Sequence, residues 1–328
     1  MAADDRRRWR SVLPWVVSAG LLVYVFGWAT DWVRLRDALR AAHVPAFLLF
    51  ATIDRLAFFA VWTWLQAYAL RRFVSEVPTR SVFAVRGGSE LIRTVSNPAS
   101  DAAFFLGLAH LSGGRIDAVI SAALVPAFVH VQVMLGLMTL ALPFLPGGPA
   151  QNRGTWTTAG ILWLVVFAIA VAVRLSGSRK LRLPGIVALR NWLERFSFRD
   201  LRPFYLGFLG LTLFDVLIQG LASRAFGIPI DWVALAARLP LLYLALTIPT
   251  LGNFGTREVA WASLFADFGD RDRLIAYALG VNAVFLVINL VIGLIFLPRA
   301  LQLIAAVRSA RREGAEVPEP ILHDPTDL

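Results

Sequence analysis

Apolar residues occupy most of the chain in stretches that are longer than the helices and strands of a soluble domain. Six of these stretches carry few or no charges and are long enough to cross about 30 Å of hydrocarbon as helices. They are 11–29, 46–70, 117–143, 156–173, 203–226 and 274–297. The pattern predicts an all-α, polytopic membrane protein with six spanning helices.

Two further apolar regions are each broken at their middle by proline and by small or polar residues. Region 81–111 is broken at "SNPAS" (96–100), and region 232–268 is broken at "PTLGNFG" (249–255). Proline removes a backbone donor and glycine permits open backbone angles, so a helix ends at such a cluster. The resulting pieces are short, and a piece of about 13 residues reaches only about 20 Å. Both regions are therefore predicted to be re-entrant helical hairpins.

The positions of Lys and Arg predict the topology, because cytoplasmic loops of membrane proteins are enriched in these residues. Most of them outside the hairpins fall in 1–10, 71–80, 174–202 and 298–328. Both termini are then cytoplasmic, and the two hairpins enter from opposite sides. The halves 11–143 and 156–297 follow the same order of elements in opposite orientation, which is typical of an inverted-repeat transporter. We find no residue-level similarity between the halves, so the repeat is inferred from element order alone.

Residues 1–312 are predicted to form one membrane domain, with two segments that lie outside its spanning core. The cytoplasmic linker 174–202 contains an amphipathic stretch, 184–197, that is typical of an interfacial helix on the inner leaflet. The alternative is a connector that does not touch lipid. Residues 313–328 hold Pro318, Pro320 and Pro325 and are predicted to be a disordered cytoplasmic tail.

The composition narrows the chemistry. Hydrophobic residues make up 58% of the chain and charged residues only 16%. The chain has no cysteine, and its four histidines show no metal-ligand spacing, so disulfides, thiolate chemistry and a metal centre are not expected, and neither is any cofactor. The formal net charge of +10 is explained by membrane topology, so we expect no nucleic-acid partner.

The break of the second hairpin carries the first candidate site. The chain can restart as a helix near Thr256, and the unpaired N–H groups of a helix start attract anions. An arginine in the first turn adds a guanidinium that matches phosphate, and the glutamate after it offers a counter-ion or an exchangeable proton. The predicted binding residues here are Gly252, Asn253, Gly255, Arg257 and Glu258.

The break of the first hairpin has a similar design. Ser100 or Asn97 can cap a helix that starts near Asp101. The preceding half-helix carries polar residues at spacings of four and three, which places them on one face. We expect this hairpin to contribute Arg86, Glu90, Arg93, Asn97 and Asp101 to a phosphate-binding pocket. The alternative is a set of structural ion pairs in which Arg86 neutralises Glu90 and Arg257 neutralises Glu258.

Other polar residues lie inside predicted spans. Asp54 and Asp215 are candidates for proton or counter-charge coupling, because intramembrane carboxyl groups are costly and often lie near a transport pathway. Packing roles are open for both. Arg55 and Gln219 are further buried polar candidates in these spans, while His130, Asn282 and Asn289 are expected mainly to satisfy packing. Arg224 and Arg238 lie near predicted helix ends, where an arginine can extend to the interface.

The stretch "IPTLGNFGTREVAWASL" resembles the Pro-x-Pro-Gly-Gly-x-Gly-x-Arg-Glu signature of the lysylphosphatidylglycerol synthase transmembrane-region family, whose members are also described as flippase-like integral membrane proteins. The resemblance covers roughly residues 11–305. The matching residues are Pro249, Gly252, Gly255, Arg257 and Glu258, while Leu251 and Asn253 replace a proline and a glycine.

The resemblance implies a flippase-like transporter that moves a phospholipid or a polyprenyl-linked lipid across the membrane. Members that synthesise lysylphosphatidylglycerol carry a large aminoacyl-transfer domain after the membrane region, but only about 30 residues follow the last predicted span here. We therefore expect no enzymatic activity. The alternatives are a membrane enzyme acting on a polyprenyl-phosphate or a phospholipid, and a non-transporting scaffold of a cell-envelope complex.

The location of the protein and its protein partners are also expectations at this point. Lys180 is the only lysine, and such a preference for arginine is typical of a high-GC bacterial genome. We expect a multi-pass protein of the bacterial cytoplasmic (inner) membrane. Homo-oligomers and cell-envelope proteins are candidate protein partners.

Overall fold

A computed structural model of the chain describes residue 40 and residues 42–112, 116–175, 192–194, 196–247 and 255–312. These described residues form helices joined by short connections, with no strand among them. In chain order the helices are α1 (Val44–Phe73), α2 (Thr79–Arg93), α3 (Asn97–Leu111), α4 (Ile116–Ala141) with a 3₁₀ turn (Leu142–Phe144), α5 (Gly148–Gln151), α6 (Arg153–Leu175), α7 (Phe198–Ala225), α8 (Trp232–Ala245), α9 (Thr256–Leu264) and α10 (Arg271–Arg312).

Five of the described helices are long and apolar enough to cross a membrane: α1, α4, α6, α7 and α10. They coincide with five of the six predicted spans, and the prediction of an all-helical, multi-pass membrane protein is confirmed. The predicted span 11–29, most of the amphipathic stretch 184–197 and the tail 313–328 lie outside the described residues. α10 continues through Pro298, well beyond the predicted end of its span.

Helices α2 and α3 form an antiparallel pair. The Ser100 hydroxyl donates to the Ser89 carbonyl at 2.7 Å, and further along the pair Val85 packs directly on Gly107. A Cβ at position 107 would lie 2.5 Å from Val85 Cγ1, so only glycine permits this approach. The pair therefore turns back on itself at residues 94–96.

The break in this pair differs from the predicted one. Ser96 caps α3, because its side chain accepts the Ala99 N–H at 3.3 Å, and the helix begins at Asn97. The prediction that Ser100 or Asn97 caps a helix starting near Asp101 is wrong. Pro98 does not delay the start, because a proline in the first helical turn has no backbone bond to lose.

Helices α8 and α9 form the second antiparallel pair. Arg238 of α8 donates to the Leu264 carbonyl at the end of α9, at 2.7 Å. The start of α9 at Thr256 is confirmed, and Gly255 before it has φ of 84°, a left-handed backbone that favours glycine. Residues 248–254 between the two helices lie outside the described part of the chain.

The two pairs approach the long helix α10 from opposite ends. α2 packs on the C-terminal half of α10, where Gly88 faces Ala300. Trp261 of α9 packs near the beginning of α10, where its ring centre lies 4.8 Å from that of Tyr277. The end of α2 and the start of α9 therefore both lie near the middle of α10, beside Gly293 and Asn282. α1 and α7 pack behind them and bring further polar side chains to the same level.

Candidate functional site

A cavity of about 150 Å³ lies where the two helical pairs meet the middle of α10. Three of its lining side chains are arginines, and no carboxylate from the described residues lines it. The remaining lining is mostly amide and hydroxyl groups, with one aromatic and one aliphatic side chain. The lining residues are Arg55, Arg93, Thr94, Asn97, Arg257, Asn282, Phe285, Leu286 and Asn289.

Glu90 is the centre of a buried ion network at the tip of α2. Its side chain is 1% exposed and pairs with Arg55, with Arg86 at 3.3 Å and with Arg93 at 3.0 Å. The spacing of four and three residues puts Arg86, Glu90 and Arg93 on one helix face, as predicted. The alternative in which Arg86 and Glu90 form an ion pair is thus observed.

Asp101 completes this network from α3. Its Oδ1 pairs with Arg86 at 2.9 Å and with Arg93 at 2.7 Å. Three guanidinium groups are then balanced by two carboxylates, which leaves a surplus positive charge at the tip. The positively charged Arg93 side chain lines the cavity, and its guanidinium also donates to Asn97 Oδ1 at 3.5 Å. Arg86, Glu90 and Asp101 support the cavity without lining it.

Arg257 reaches the same cavity from the opposite pair. It is 5% exposed, its guanidinium lies 4.9 Å from the ring centre of Phe285, and its Nε has no hydrogen-bond partner among the described residues. A buried guanidinium with unused donors is well suited to bind an anion. The alternative in which Arg257 forms an ion pair with Glu258 is not observed as a direct contact, although the two charges interact electrostatically.

Glu258 instead supports the helix start. One carboxylate oxygen accepts the Gly255 N–H at 2.6 Å, and the other accepts the Asn282 side-chain amide at 2.8 Å. This capping satisfies a backbone donor that the break would otherwise leave unpaired. Glu258 is fully buried, and neither it nor Gly255 lines the cavity. Gly252 and Asn253 lie outside the described residues.

Asp54 and Asp215 lie together behind Arg257. Gln219 donates to Asp54 Oδ2 at 3.1 Å, and the Tyr243 hydroxyl donates to Asp215 Oδ2 at 2.7 Å. The other oxygen of each carboxyl has no donor among the described residues. The two carboxyl groups are within hydrogen-bonding range of one another and interact electrostatically with Arg257.

Several lining residues were not predicted as site residues. Arg55, Asn282 and Asn289 were recognised only as buried polar groups, although two asparagines one heptad apart on one helix share a face. Thr94, Phe285 and Leu286 gave no signal in the sequence. His130 packs between two aromatic rings, with its ring centre 4.9 Å from that of Trp62 and 4.8 Å from that of Phe208. It does not line the cavity. The described residues contain no group of three or more side chains suited to hold a metal ion.

Comparison with known proteins agrees with the architecture. A family model described as "Lysylphosphatidylglycerol synthase TM region" matches residues 12–293, which is most of the chain. The match includes every residue that lines the cavity. No curated protein and no solved structure matches the chain.

Proposed function

We propose a lipid-translocating function for this chain, which belongs to the lysylphosphatidylglycerol synthase TM region family. In this proposal it is a flippase-like transporter that moves a phosphate-bearing lipid between the leaflets of the membrane. It acts without a cofactor, by binding the headgroup in the cavity between the two helical pairs.

One observation carries the proposal: the cavity presents Arg55, Arg93 and Arg257 and no carboxylate from the described residues. Guanidinium groups bind phosphate oxygens through paired N–H donors, and they do so most strongly away from water. A cavity of about 150 Å³ suits a phosphate and its first ester substituent. The acyl or prenyl chains of such a lipid would stay in the hydrocarbon beside it.

The lengths of the paired helices support a re-entrant arrangement. α2 and α3 have 15 residues each, and 15 residues extend about 22 Å, less than the roughly 30 Å of a hydrocarbon core. The end of α2 and the start of α9 lie beside the middle of α10, so we place them, and the cavity between them, near the bilayer midplane. The opposed pairs favour the inverted halves 11–143 and 156–297, as in transporters with broken helices at a central site.

The distribution of Lys and Arg supports the orientation of the helices and of both termini relative to the membrane. The last turn of α1 contains Arg71 and Arg72, and α10 ends at Arg312. The first helical pair starts at Thr79, shortly after the basic end of α1. In a bacterial cytoplasmic membrane this puts both termini in the cytoplasm. The first pair then enters from the cytoplasm and the second from outside.

Asp54 and Asp215 would couple this site to protons. Two adjacent buried carboxylates repel one another, and one shared proton would give both unpartnered oxygens a hydrogen bond. Tyr243, Gln219 and Arg257 surround the pair. Loss of the proton would add negative charge beside Arg257 and weaken its attraction for phosphate.

The test is movement of a headgroup-labelled phospholipid between the leaflets of liposomes that contain the purified protein. Arg257→Ala should abolish the movement, because it removes from the cavity a guanidinium whose Nε has no hydrogen-bond partner among the described residues. Arg80→Ala is a matched control, since Arg80 is an exposed arginine on α2 that does not line the cavity. Wild-type rates for Arg257→Ala, in protein reconstituted at equal amounts, would overturn the proposal.

A further inference from the structure

A second cavity lies at the other end of the α8 and α9 pair, away from its tip. It has a volume of about 380 Å³ and is open to the surface. Its walls come from the start of α6, from the middle of α8 and from the end of α9 with the turn that follows. It shares no lining residue with the cavity at the helix tips.

The charge in this second cavity is neutralised internally. Arg238 is 6% exposed and forms two bonds to Asp267, at 2.5 and 2.9 Å. Asn152 accepts a third bond from this guanidinium at 2.7 Å. The expectation that Arg238 extends towards the interface is therefore wrong, because these acceptors hold it inward. No further charged side chain from the described residues lines the cavity, so nothing in it selects an ion.

The rest of the polar lining is uncharged and still has capacity for hydrogen bonds. Thr155 and Ser263 contribute hydroxyl groups, and Gln151 contributes an amide. The Asp267 side chain is 44% exposed, so its carboxylate keeps lone pairs that a ligand can reach. Arg238 Nε is buried without a partner among the described residues. The cavity thus offers both donors and acceptors, and its described lining has no net charge, which suits a ligand with several hydroxyl groups.

The surroundings favour a lipid over a soluble molecule as the source of these hydroxyl groups. α6, which forms one wall, leaves large apolar side chains exposed beyond the cavity, and Leu164 and Phe167 are each 66% exposed. Such a helix face is suited to acyl chains. A headgroup in the cavity and its chains along α6 would satisfy both surfaces.

We propose that this cavity is a second lipid site, which binds the uncharged, polyhydroxylated part of a headgroup such as a glycerol or a sugar. The site is independent of the phosphate cavity, so it can be tested with a glycolipid that has no phosphate. The probe is a glucosyl diacylglycerol, added to the purified full chain in detergent and followed by native mass spectrometry.

The wild-type chain should retain one glycolipid, and the double variant Thr155→Val with Ser263→Ala should weaken retention at least fivefold. Thr157→Val is the matched control, because Thr157 is an exposed threonine two residues along α6 that does not line the cavity. It should retain the glycolipid like the wild type. Absence of wild-type binding, or equal losses in the control, would overturn the proposal.

Two further measurements show which cavity binds the glycolipid and whether the ligand must be a lipid. Arg257→Ala should leave glycolipid binding unchanged while it weakens binding of phosphatidic acid, whose headgroup is a phosphate without a glycerol or sugar, so failure of one site is distinguishable from failure of the other. Methyl glucoside alone should bind at least tenfold more weakly than the glycolipid, because it lacks the chains that lie on α6. Equal affinity for methyl glucoside and the glycolipid would overturn the proposal that the ligand of this cavity is a lipid.

Discussion

Glu258 accepts a hydrogen bond from Asn282 at 2.8 Å, although its neighbour in the chain is Arg257. The second oxygen of the carboxylate is bound to the Gly255 N–H. Both carboxylate oxygens of Glu258 therefore accept a hydrogen bond, one from the start of α9 and one from α10. Glu258 makes no hydrogen bond to Arg257, although the two charges interact electrostatically, and the Arg257 guanidinium lines the cavity.

A first prediction separates the capping role of Glu258 from ligand binding. Glu258→Ala leaves the buried Gly255 N–H and the Asn282 amide without their acceptor, and should lower the free energy of unfolding by about 1–3 kcal/mol. Glu258→Gln keeps a carbonyl oxygen for Gly255 and should cost less than half as much. Denaturant titration in detergent micelles measures both. Equal losses would show that the charge of Glu258, and not its capping bond, supports α9.

The network at the tip of α2 gives a second prediction. Glu90→Gln leaves three buried guanidinium groups with a single carboxylate, and should lower the free energy of unfolding by about 3–5 kcal/mol. Asp101→Asn should cost clearly less, because the Asp101 side chain is 42% exposed and water can replace it. The same titration compares the two variants. A larger loss for Asp101→Asn would contradict the central place assigned to Glu90.

A third prediction concerns the close contact between α2 and α3. Gly107→Ala forces a Cβ against Val85, whose branched side chain has few alternative rotamers, and should cost about 1–3 kcal/mol. Gly210→Ala on α7 is the control, since its Cβ would meet nothing within 4 Å, and it should be neutral or slightly stabilising.

Adding Val85→Ala to Gly107→Ala provides the specific check on this contact. The double variant should recover part of the stability lost by Gly107→Ala, because the clashing methyl group is gone. No recovery, with Gly210→Ala unchanged, would mean that the two helices are not held together at this contact.

The sequence predicted the elements of this fold better than their termini. Runs without charge identify α6 and α10 because hydrocarbon tolerates little else, and the glycine and proline cluster before Thr256 marks a helix break for steric reasons. The start of α3 was misplaced by a few residues. Asn97, Ser100 and Asp101 all favour a cap as much as Ser96 does, and the choice among them depends on tertiary contacts.

The site was predicted in part for a related reason. Arg93, Asn97 and Arg257 could be assigned to one pocket because both helix breaks carry charge. The roles of Glu90 and Glu258 could not, since a carboxylate in a motif looks the same whether it binds a ligand or a neighbouring helix. Asn282 and Asn289 reach the cavity only through the packing of α10, which local sequence does not encode.

The last prediction concerns the carboxyl pair behind Arg257. Each of Asp54 and Asp215 has one oxygen without a donor among the described residues, and a shared proton would bridge them. In the wild type, raising the pH removes this proton, adds a negative charge beside Arg257 and should slow lipid translocation. Asp215→Asn supplies a permanent N–H to the neighbouring carboxyl in place of the proton. Its translocation rate should therefore stay nearly constant from mildly acidic to alkaline pH.

Lipid movement in liposomes at matched internal and external pH measures this dependence without a proton gradient. Glu76→Gln is the control, because Glu76 is an exposed carboxyl in the connection between α1 and α2, and it should keep the wild-type pH profile. A pH dependence in Asp215→Asn equal to that of the wild type would exclude the pair as the titrating group. A flat wild-type profile would exclude loss of the shared proton in this pH range as a control on lipid translocation.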